Sequence, residues 1–530
     1  MNPMHTMMPD RLESNTRTVT LLTACSRLTG LVRDAVLSRL FGVSELMSDF
    51  WIAFLVPNLF RRLFGEGALG ASYLPVYTKL NKSNPDQAGQ LASLLLAGLL
   101  AVMGMLVLLG ELVLFLVSAT RDHSDPAIWL MMIMLPYMPL VCLVALLGVM
   151  LQVHGRFGPP AAAPLLLNGA IIAAAVGVSL ATGNMTPHAR ILTIGSVAGA
   201  VVLAGVLQAA WLFWSLRKEV QWTWNRAEAS APLRRVLLAA APMLLGIGVL
   251  QLNTFMDGII ASYPTFFDTD QFLGWQYPLD TGAMAVLSFA QRLYQFPLGV
   301  FAISVATAIY PLLALQADDE TGFRDTIRRG LRLVLFIGLP ASVGLVLVRE
   351  PLTACVYQGG AFTSADTTQV SAVLLGYAVA IWAYSANQIL TRACYAKLDT
   401  RTPVRIAVRM VGLNLLLNIT LIWTPLGIAG LAWSTAICAI LQFMLLLRAS
   451  RAHVQNPFDV VVARSALRSL ALAIAMGIGV GFVMLGLETG STFLEHFRQL
   501  GILLVVGTVI YGGGAMLLGM PELKWALGRR

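Results

Sequence analysis

The chain reads as long apolar runs separated by short polar ones, and the polar stretches are too brief to build a soluble layer of their own. A helix that crosses the hydrocarbon core of a bilayer needs roughly 20 mainly apolar residues. On that ruler fourteen segments are predicted to span: 18–41, 50–74, 91–118, 127–153, 161–182, 191–216, 236–263, 284–314, 331–348, 370–395, 404–423, 426–447, 467–487 and 500–520. The first two are the least apolar, because charged residues interrupt them.

Two stretches repeat a pattern. FRRLFGEGALGASYLPVYTKL at 60–80 and FPLGVFAISVATAIYPLLALQ at 296–316 share Phe, Gly, Ala, Tyr and Pro in similar order, and each ends the second predicted helix of its half. A polar loop follows both, and an Asn-bearing helix comes later in each half, at Asn168 and at Asn414 and Asn418. Six helices per copy makes the copies face the same way, a layout used by transporters that rock two bundles around a central site. The organisation expected is an all-α polytopic membrane protein with an N-terminal six-helix bundle (1–216), a second bundle (217–455) and two extra helices (456–530).

Composition agrees: 57% of residues are hydrophobic against 12% charged, which leaves no material for a large soluble domain. The formal charge of +9 is explained by topology. With the N-terminus inside, most of the 36 Lys and Arg fall in inner segments such as 217–235, 324–332 and 396–405, and outer loops carry only Arg121, Arg190, Arg349 and Arg498. Cytoplasmic loops carry that excess, so both termini are expected inside, and no basic patch is left for nucleic acid. The start of the chain has no long apolar core, so no cleavable signal peptide is expected. The five cysteines share no CxxC spacing and read as small core residues.

Charge inside the predicted spans carries the chemistry. Arg27, Arg33 and Asp34 lie in the first helix, Arg61, Arg62 and Glu66 in the second and Arg292 in the eighth. Insertion disfavours each such group by about 2.5 to 3.5 kcal/mol at the bilayer centre. Pairing within the bundle, Arg27 with Asp34 or Arg62 with Glu66, is one explanation. Five arginines against two acids nevertheless leave a surplus of three positive charges, and the guanidinium fork matches the oxygens of a phosphate or pyrophosphate. At about 100° per residue Arg27 and Arg33 point about 120° apart. Gly30, between them, is where a bend is expected to bring both toward one cavity, while Arg39 is expected to reach the outer interface. A membrane-traversing organophosphate is the substrate class implied.

At these residues the chain resembles the lipid II flippases (MurJ/MviN) of the multidrug/oligosaccharidyl-lipid/polysaccharide exporter superfamily. The matching text is SRLTGLVRDAVLSRLFG, SDFWIAFLVPNLFRRLFGEGALGASYLPVY, QRLYQFPLGVF and KLDTRTPVRIAV. The resemblance implies a carrier, not an enzyme, that moves lipid II, the undecaprenyl-pyrophosphate-linked disaccharide-pentapeptide, to the outer leaflet of the bacterial inner membrane for peptidoglycan synthesis. It implies alternation between inward-open and outward-open cavities, lipid II, membrane lipids and other cell-wall synthesis proteins as partners, and a lipid-tail groove formed by the last two helices. Arg27, Arg33, Arg61 or Arg62, and Arg292 match the family's cationic positions, Asp49 and Glu66 its acidic ones, and Ser26 and Asn58 its polar ones. Helix eight departs from the family pattern, with Gln291 and Gln295 where acids are usual, which puts acid-linked coupling there in doubt. The outer loop 262–282 is also longer than usual, with three Asp and no Lys or Arg, and reads as a solvated surface insertion.

Some family members bind sodium in the second half. Asp257, Asn414, Asn418 and Thr435 would supply the oxygens here, although intramembrane Asn also serves as helix-to-helix glue. No cofactor is expected beyond such an ion or coupling to membrane potential. Within the superfamily, an O-antigen-type flippase or a cation-coupled exporter is the alternative, though the latter calls for an acidic cavity. A polyprenyl-phosphate enzyme would need a metal or nucleophile constellation. The one DxD, Asp268 to Asp270, is on the predicted outer side, and neither a P-loop nor an HExxH is present.

Overall fold

The computed structural model describes residues 4–65, 68–120, 125–223, 228–267, 269–299, 303–487, 490 and 492–527. They are almost wholly helical and divide into two compact units, Met1–Gly258 and Ile259–Arg530.

The first unit contains α1 (Met4–Phe41), α2 (Glu45–Phe60), a π-helical turn (Arg61–Gly65), α3 (Ala68–Ser83), α4 (Pro85–Thr120), α5 (Pro126–Met134), α6 (Tyr137–Val153), α7 (Gly158–Thr182), α8 (Pro187–Leu216) and most of α9 (Ser230–Ala261). Ser44 caps α2 by accepting from the Met47 amide, and Thr186 caps α8 through the Ala189 amide. Between the caps, small residues set how closely helices approach. A Cβ on Gly205 would meet the Tyr137 ring at 2.7 Å, and one on Gly195 would meet Trp129 at 3.2 Å. That is how membrane bundles pack in a solvent as apolar as their own side chains. By contrast α4 leaves Met105, Leu108, Leu112 and Phe115 exposed, an apolar outer face suited to lipid.

The second unit holds α10 (Tyr263–Phe267), β1 (Gln271–Phe272), β2 (Trp275–Gln276), α11 (Ala283–Pro297), α12 (Ile303–Leu315), α13 (Glu320–Tyr357), α14 (Ser364–Val379), α15 (Ile381–Ala396), α16 (Arg401–Leu421), α17 (Ala429–Ser450), α18 (Val460–Leu485), α19 (Phe493–Leu517) and α20 (Pro521–Ala526). Its spine is α13. Phe323, Ile327, Leu331, Val334 and Leu335 pack against Ala386, Ile389, Leu390 and Ala393 of α15. Phe336 and Val348 of α13 are buried against Met476 and Val480 of α18 and Leu503 and Tyr511 of α19, and the Tyr511 hydroxyl donates to the Phe336 carbonyl at 2.6 Å. The long loop 262–282 contains an antiparallel hairpin in which Phe272 pairs with Trp275. Leu273 and Gly274 turn it with φ of 50° and 84°, and both Leu273 and Trp275 are exposed.

Nine helices among the described residues are long and apolar enough to cross a membrane, and α14 with α15, bent by 41°, makes a tenth. The expected count of fourteen is not reached by that measure. Helices occupy the described parts of the other four predicted segments, 18–41, 50–74, 236–263 and 284–314; charge in α1 and the π turn after α2 set the first two apart, and residues 66, 67 and 300–302 lie outside the described residues. The sequence repeat has a structural counterpart here: α11 also ends in a π turn, at Leu298 and Gly299, as α2 does at Arg61. Four of the five cysteines are buried, Cys25 is exposed, and all are free.

Candidate functional site

The first unit gathers the charged residues of α1, α2 and the π turn, and the structure separates them by what holds them. Arg33 is buried, 6% exposed, at the contact of α1 with α7. Its Nε and Nη2 donate to Asp34 Oδ1 at 2.8 and 2.6 Å, and its Nη1 donates to Asn168 Oδ1 at 3.1 Å. The guanidinium carbon also lies 5.9 Å from the centre of the Trp51 ring. Asn168, on α7, completes the lock: its Nδ2 donates to the Ser26 carbonyl and to Thr29 Oγ1, each at 3.1 Å. The amide thereby satisfies donors and acceptors on two turns of α1 at a buried helix contact.

Gly30 plays a different part from the one expected. The first helix runs unbroken through it, and a Cβ there would lie 3.6 Å from Asn168 Nδ2. Gly30 thus lets α7 approach, and Arg33 does not turn outward beside Arg27. Asp34 pairs with Arg33 rather than with Arg27. Arg27 itself is half-buried and makes no hydrogen bond or ion pair among the described residues. A guanidinium in that setting has its N–H donors available for hydrogen bonds to an anion.

The π turn presents the next pair. Pro57 inside α2 removes one helical hydrogen bond, and four residues later the helix has widened to π geometry, a deformation often found at functional sites. Arg61 donates from Nε and Nη2 to Asn58 Oδ1 at 3.0 and 2.8 Å, and Arg62 Nη1 donates to Gln251 Oε1 on α9 at 3.2 Å. Both guanidiniums are therefore oriented by neutral amides. Asp49 is buried, 1% exposed, and its Oδ1 has no hydrogen-bond partner among the described residues. Glu66 lies outside the described residues.

Arg292 belongs to the second unit, half-buried on α11. Its neighbour Gln291 donates to the Tyr377 hydroxyl at 3.2 Å, and Tyr294 stacks on Tyr377 with ring centres 4.4 Å apart. Of the sodium candidates, Asp257 is buried in the first unit, while Asn414, Asn418 and Thr435 lie in the second. Asn414 Nδ2 donates to Ser434 Oγ at 3.2 Å and Thr435 Oγ1 at 3.3 Å, Asn418 Nδ2 donates to Asn414 Oδ1 at 3.0 Å, and the Ser434 hydroxyl donates to Asn418 Oδ1. These amides tie α16 to α17. No cluster of three or more His, Cys, Asp or Glu suited to a metal occurs among the described residues.

Three contributors were missing from the sequence-derived set: Asn168, Trp51 and Gln251. Asn168 had a signal, as an amide alone in an apolar helix, where such groups act across helix contacts. Nothing in the local text of Gln251 separates it from an ordinary polar residue.

The model of the family described as "Lipid II flippase MurJ" matches residues 37–500 of this chain. A probable lipid II flippase MurJ of Vibrio cholerae is 29% identical over 96% of this chain and 97% of its own length. A lipid II flippase MurJ of Burkholderia cenocepacia is 31% identical over 81% of this chain and 82% of its own. Among solved structures, a lipid II flippase MurJ in an inward closed conformation superposes with a TM-score of 0.76 at 23% identity, covering 94% of this chain and 98% of that one. An inward-facing multidrug resistance MATE family transporter of the MOP superfamily has the same fold at a TM-score of 0.63 and 13% identity, over 82% of this chain and 95% of that one.

Proposed function

The chain belongs to the lipid II flippase MurJ family, and from that premise we propose that Arg27 receives the pyrophosphate of lipid II as this multi-pass membrane protein carries it between leaflets. The protein is a lipid II flippase, a transporter rather than a catalyst. It acts by alternating access in the bacterial inner membrane, with both termini cytoplasmic. The observation that carries the reading is the contrast between Arg27, which has no partner among the described residues, and Arg33, which is saturated by Asp34 and Asn168. Binding energy that raises a transport rate must come from groups that meet the substrate, and Arg27 is free to do so. Arg33 and Asn168 act instead by fixing the turn of α1 that carries Arg27. Arg61 and Arg62, oriented by Asn58 and Gln251, extend the cationic surface along the π turn.

Depletion in cells tests this directly. Lipid-linked peptidoglycan precursor is expected to accumulate on the cytoplasmic face as the protein is lost. Precursor reaching the outer leaflet at an unchanged rate, in a strain without another flippase, contradicts the proposal.

A further inference from the structure

The helix α16 begins in the motif KLDTRTPVR, and it is buried on one face only. Pro403, Ile406, Ala407, Asn414 and Asn418 turn inward, while Arg401, Arg405, Val408, Arg409, Gly412, Leu416 and Ile419 are exposed. The exposed set is ordered along the axis. Arg401, Arg405 and Arg409 recur every four residues, so they form a ladder on one side of the helix. At 1.5 Å per residue the ladder reaches about 12 Å into the span. Beyond it Gly412 opens onto space, with nothing within 4 Å of where a Cβ would sit, and then Leu416 and Ile419 continue the same face as bare hydrocarbon.

None of the three arginines has a hydrogen bond or ion pair among the described residues. Asp399, the acid nearest in sequence, is engaged elsewhere: its Oδ1 accepts from the Thr402 amide at 3.0 Å and its Oδ2 meets His453 Nε2 at 2.9 Å. Arg401 sits at the helix start, where a charge reaches water freely, but Arg409 does not, and a bilayer disfavours an unpaired guanidinium at that depth. The face therefore matches a ligand with an anionic head at one end and a chain at the other. Guanidinium forks select phosphate oxygens, and basic sites at the cytoplasmic surface recruit anionic lipid heads.

We propose that Arg401, Arg405 and Arg409 form a binding ladder for a lipid-borne phosphate group, with the lipid chain laid along Gly412, Leu416 and Ile419. The proposal rests on the flippase reading for its orientation, since it places the arginine end of α16 at the cytoplasmic surface. In that orientation the ladder is a loading site, where the pyrophosphate of a lipid in the inner leaflet docks before it is carried across.

The test uses the full chain in lipid nanodiscs, as wild type, R405Q/R409Q and R405K/R409K. Each is titrated with undecaprenyl pyrophosphate and, separately, with phosphatidylglycerol, and bound lipid is counted by native mass spectrometry. Because two guanidiniums are removed, R405Q/R409Q is expected to bind the pyrophosphate lipid about tenfold more weakly or worse, while R405K/R409K keeps part of the affinity. A larger loss for the pyrophosphate lipid than for phosphatidylglycerol assigns the ladder to the transported substrate. Equal loss for both assigns it to phospholipid head groups. No loss for either overturns it. Should the double variant fail to fold, R405Q and R409Q are titrated singly on the same criteria.

Transport in proteoliposomes separates this idea from the function it rests on. R405Q/R409Q is expected to slow lipid II movement at low substrate density and to recover as the density rises, whereas R27A stays slow throughout. Wild-type protein that moves no lipid II contradicts the flippase reading and leaves the binding titrations to decide the ladder. Normal transport by R405Q/R409Q at every density, with unaltered binding, overturns the ladder alone.

Discussion

Two arginines six residues apart on α1 have opposite fates, and the difference is measurable. Removing Arg33 takes the buried Asp34, 1% exposed, out of its ion pair and takes a donor from Asn168 Oδ1. Breaking a buried pair from one side costs about 3 kcal/mol or more, so R33A is expected to melt at a distinctly lower temperature in detergent and to lose transport with its fold. R27A removes a group with no partner to strand. It should melt within about 0.5 kcal/mol of wild type and still fail to complement a depleted strain. An R27A protein that complements fully would sink the pyrophosphate assignment. N168A removes the acceptor of Arg33 and the donor to Ser26 and Thr29 together, and a loss of about 1 to 2 kcal/mol in thermal unfolding is expected. The cost of charge within the span was legible in the sequence. Which charge was neutralised was not, because the deciding residue lies 135 positions away on α7. Helical geometry placed Arg27 and Asp34 on one side, but a neighbouring guanidinium reached the same carboxylate first.

At the level of elements, the last two long helices are held to the second unit by a small polar clasp. Glu522 of α20 is 1% exposed. Its Oε1 accepts from Arg332 Nε at 2.7 Å and from Ser465 Oγ at 2.6 Å, so one carboxylate joins α13, α18 and α20. Trp525 lies beneath both Arg329 and Arg332, with ring centres 4.6 and 4.8 Å from the guanidinium carbons. E522A is expected to cost about 2 to 4 kcal/mol, read as faster hydrogen exchange in α18 and α19 than in α14 and α17. Uniform exchange across the unit would mean the clasp does not anchor those helices. Asp399 makes a second local device. Burial raises its carboxyl, but hydrogen bonds from the Thr402 side chain and amide and from His453 outweigh it and hold it at about 2, below the ordinary 3.8. A carboxylate lowered in the fold stabilises above its unfolded value and loses that contribution as pH falls from about 4 toward 2. The gap in melting temperature between wild type and D399N should therefore be widest near neutrality and close below pH 4. A gap at pH 2 as wide as at neutrality would show that the side chain acts by shape alone. Helix positions were legible for the ten spans that apolar length marks. The π turn at Arg61 was not, because hydropathy averages over a window and does not register a single widened turn.

Across the whole molecule, the distribution of Lys and Arg makes the strongest claim that remains open to a direct measurement. With both termini cytoplasmic, the basic segments 217–235, 324–332 and 396–405 face inward, and outer loops carry only isolated arginines. Reversing the chain would put those segments outside, along with Arg401, Arg405 and Arg409, and a ladder of arginines would then face the wrong leaflet for a substrate made in the cytoplasm. Orientation and direction of transport are thus one prediction. A fluorescent protein fused after Arg530 is expected to fold and fluoresce, and alkaline phosphatase at the same point to stay inactive. A cysteine placed at Leu273, exposed at the tip of the hairpin, should react in intact cells with a membrane-impermeant maleimide, while one at Arg324, in the second turn of α13, should react only after lysis. Active phosphatase at the C-terminus with labelling of the Arg324 position in intact cells would invert the topology. The cationic residues of α1 and α16 would then have to serve the opposite leaflet, and the proposed loading step would fail with the orientation.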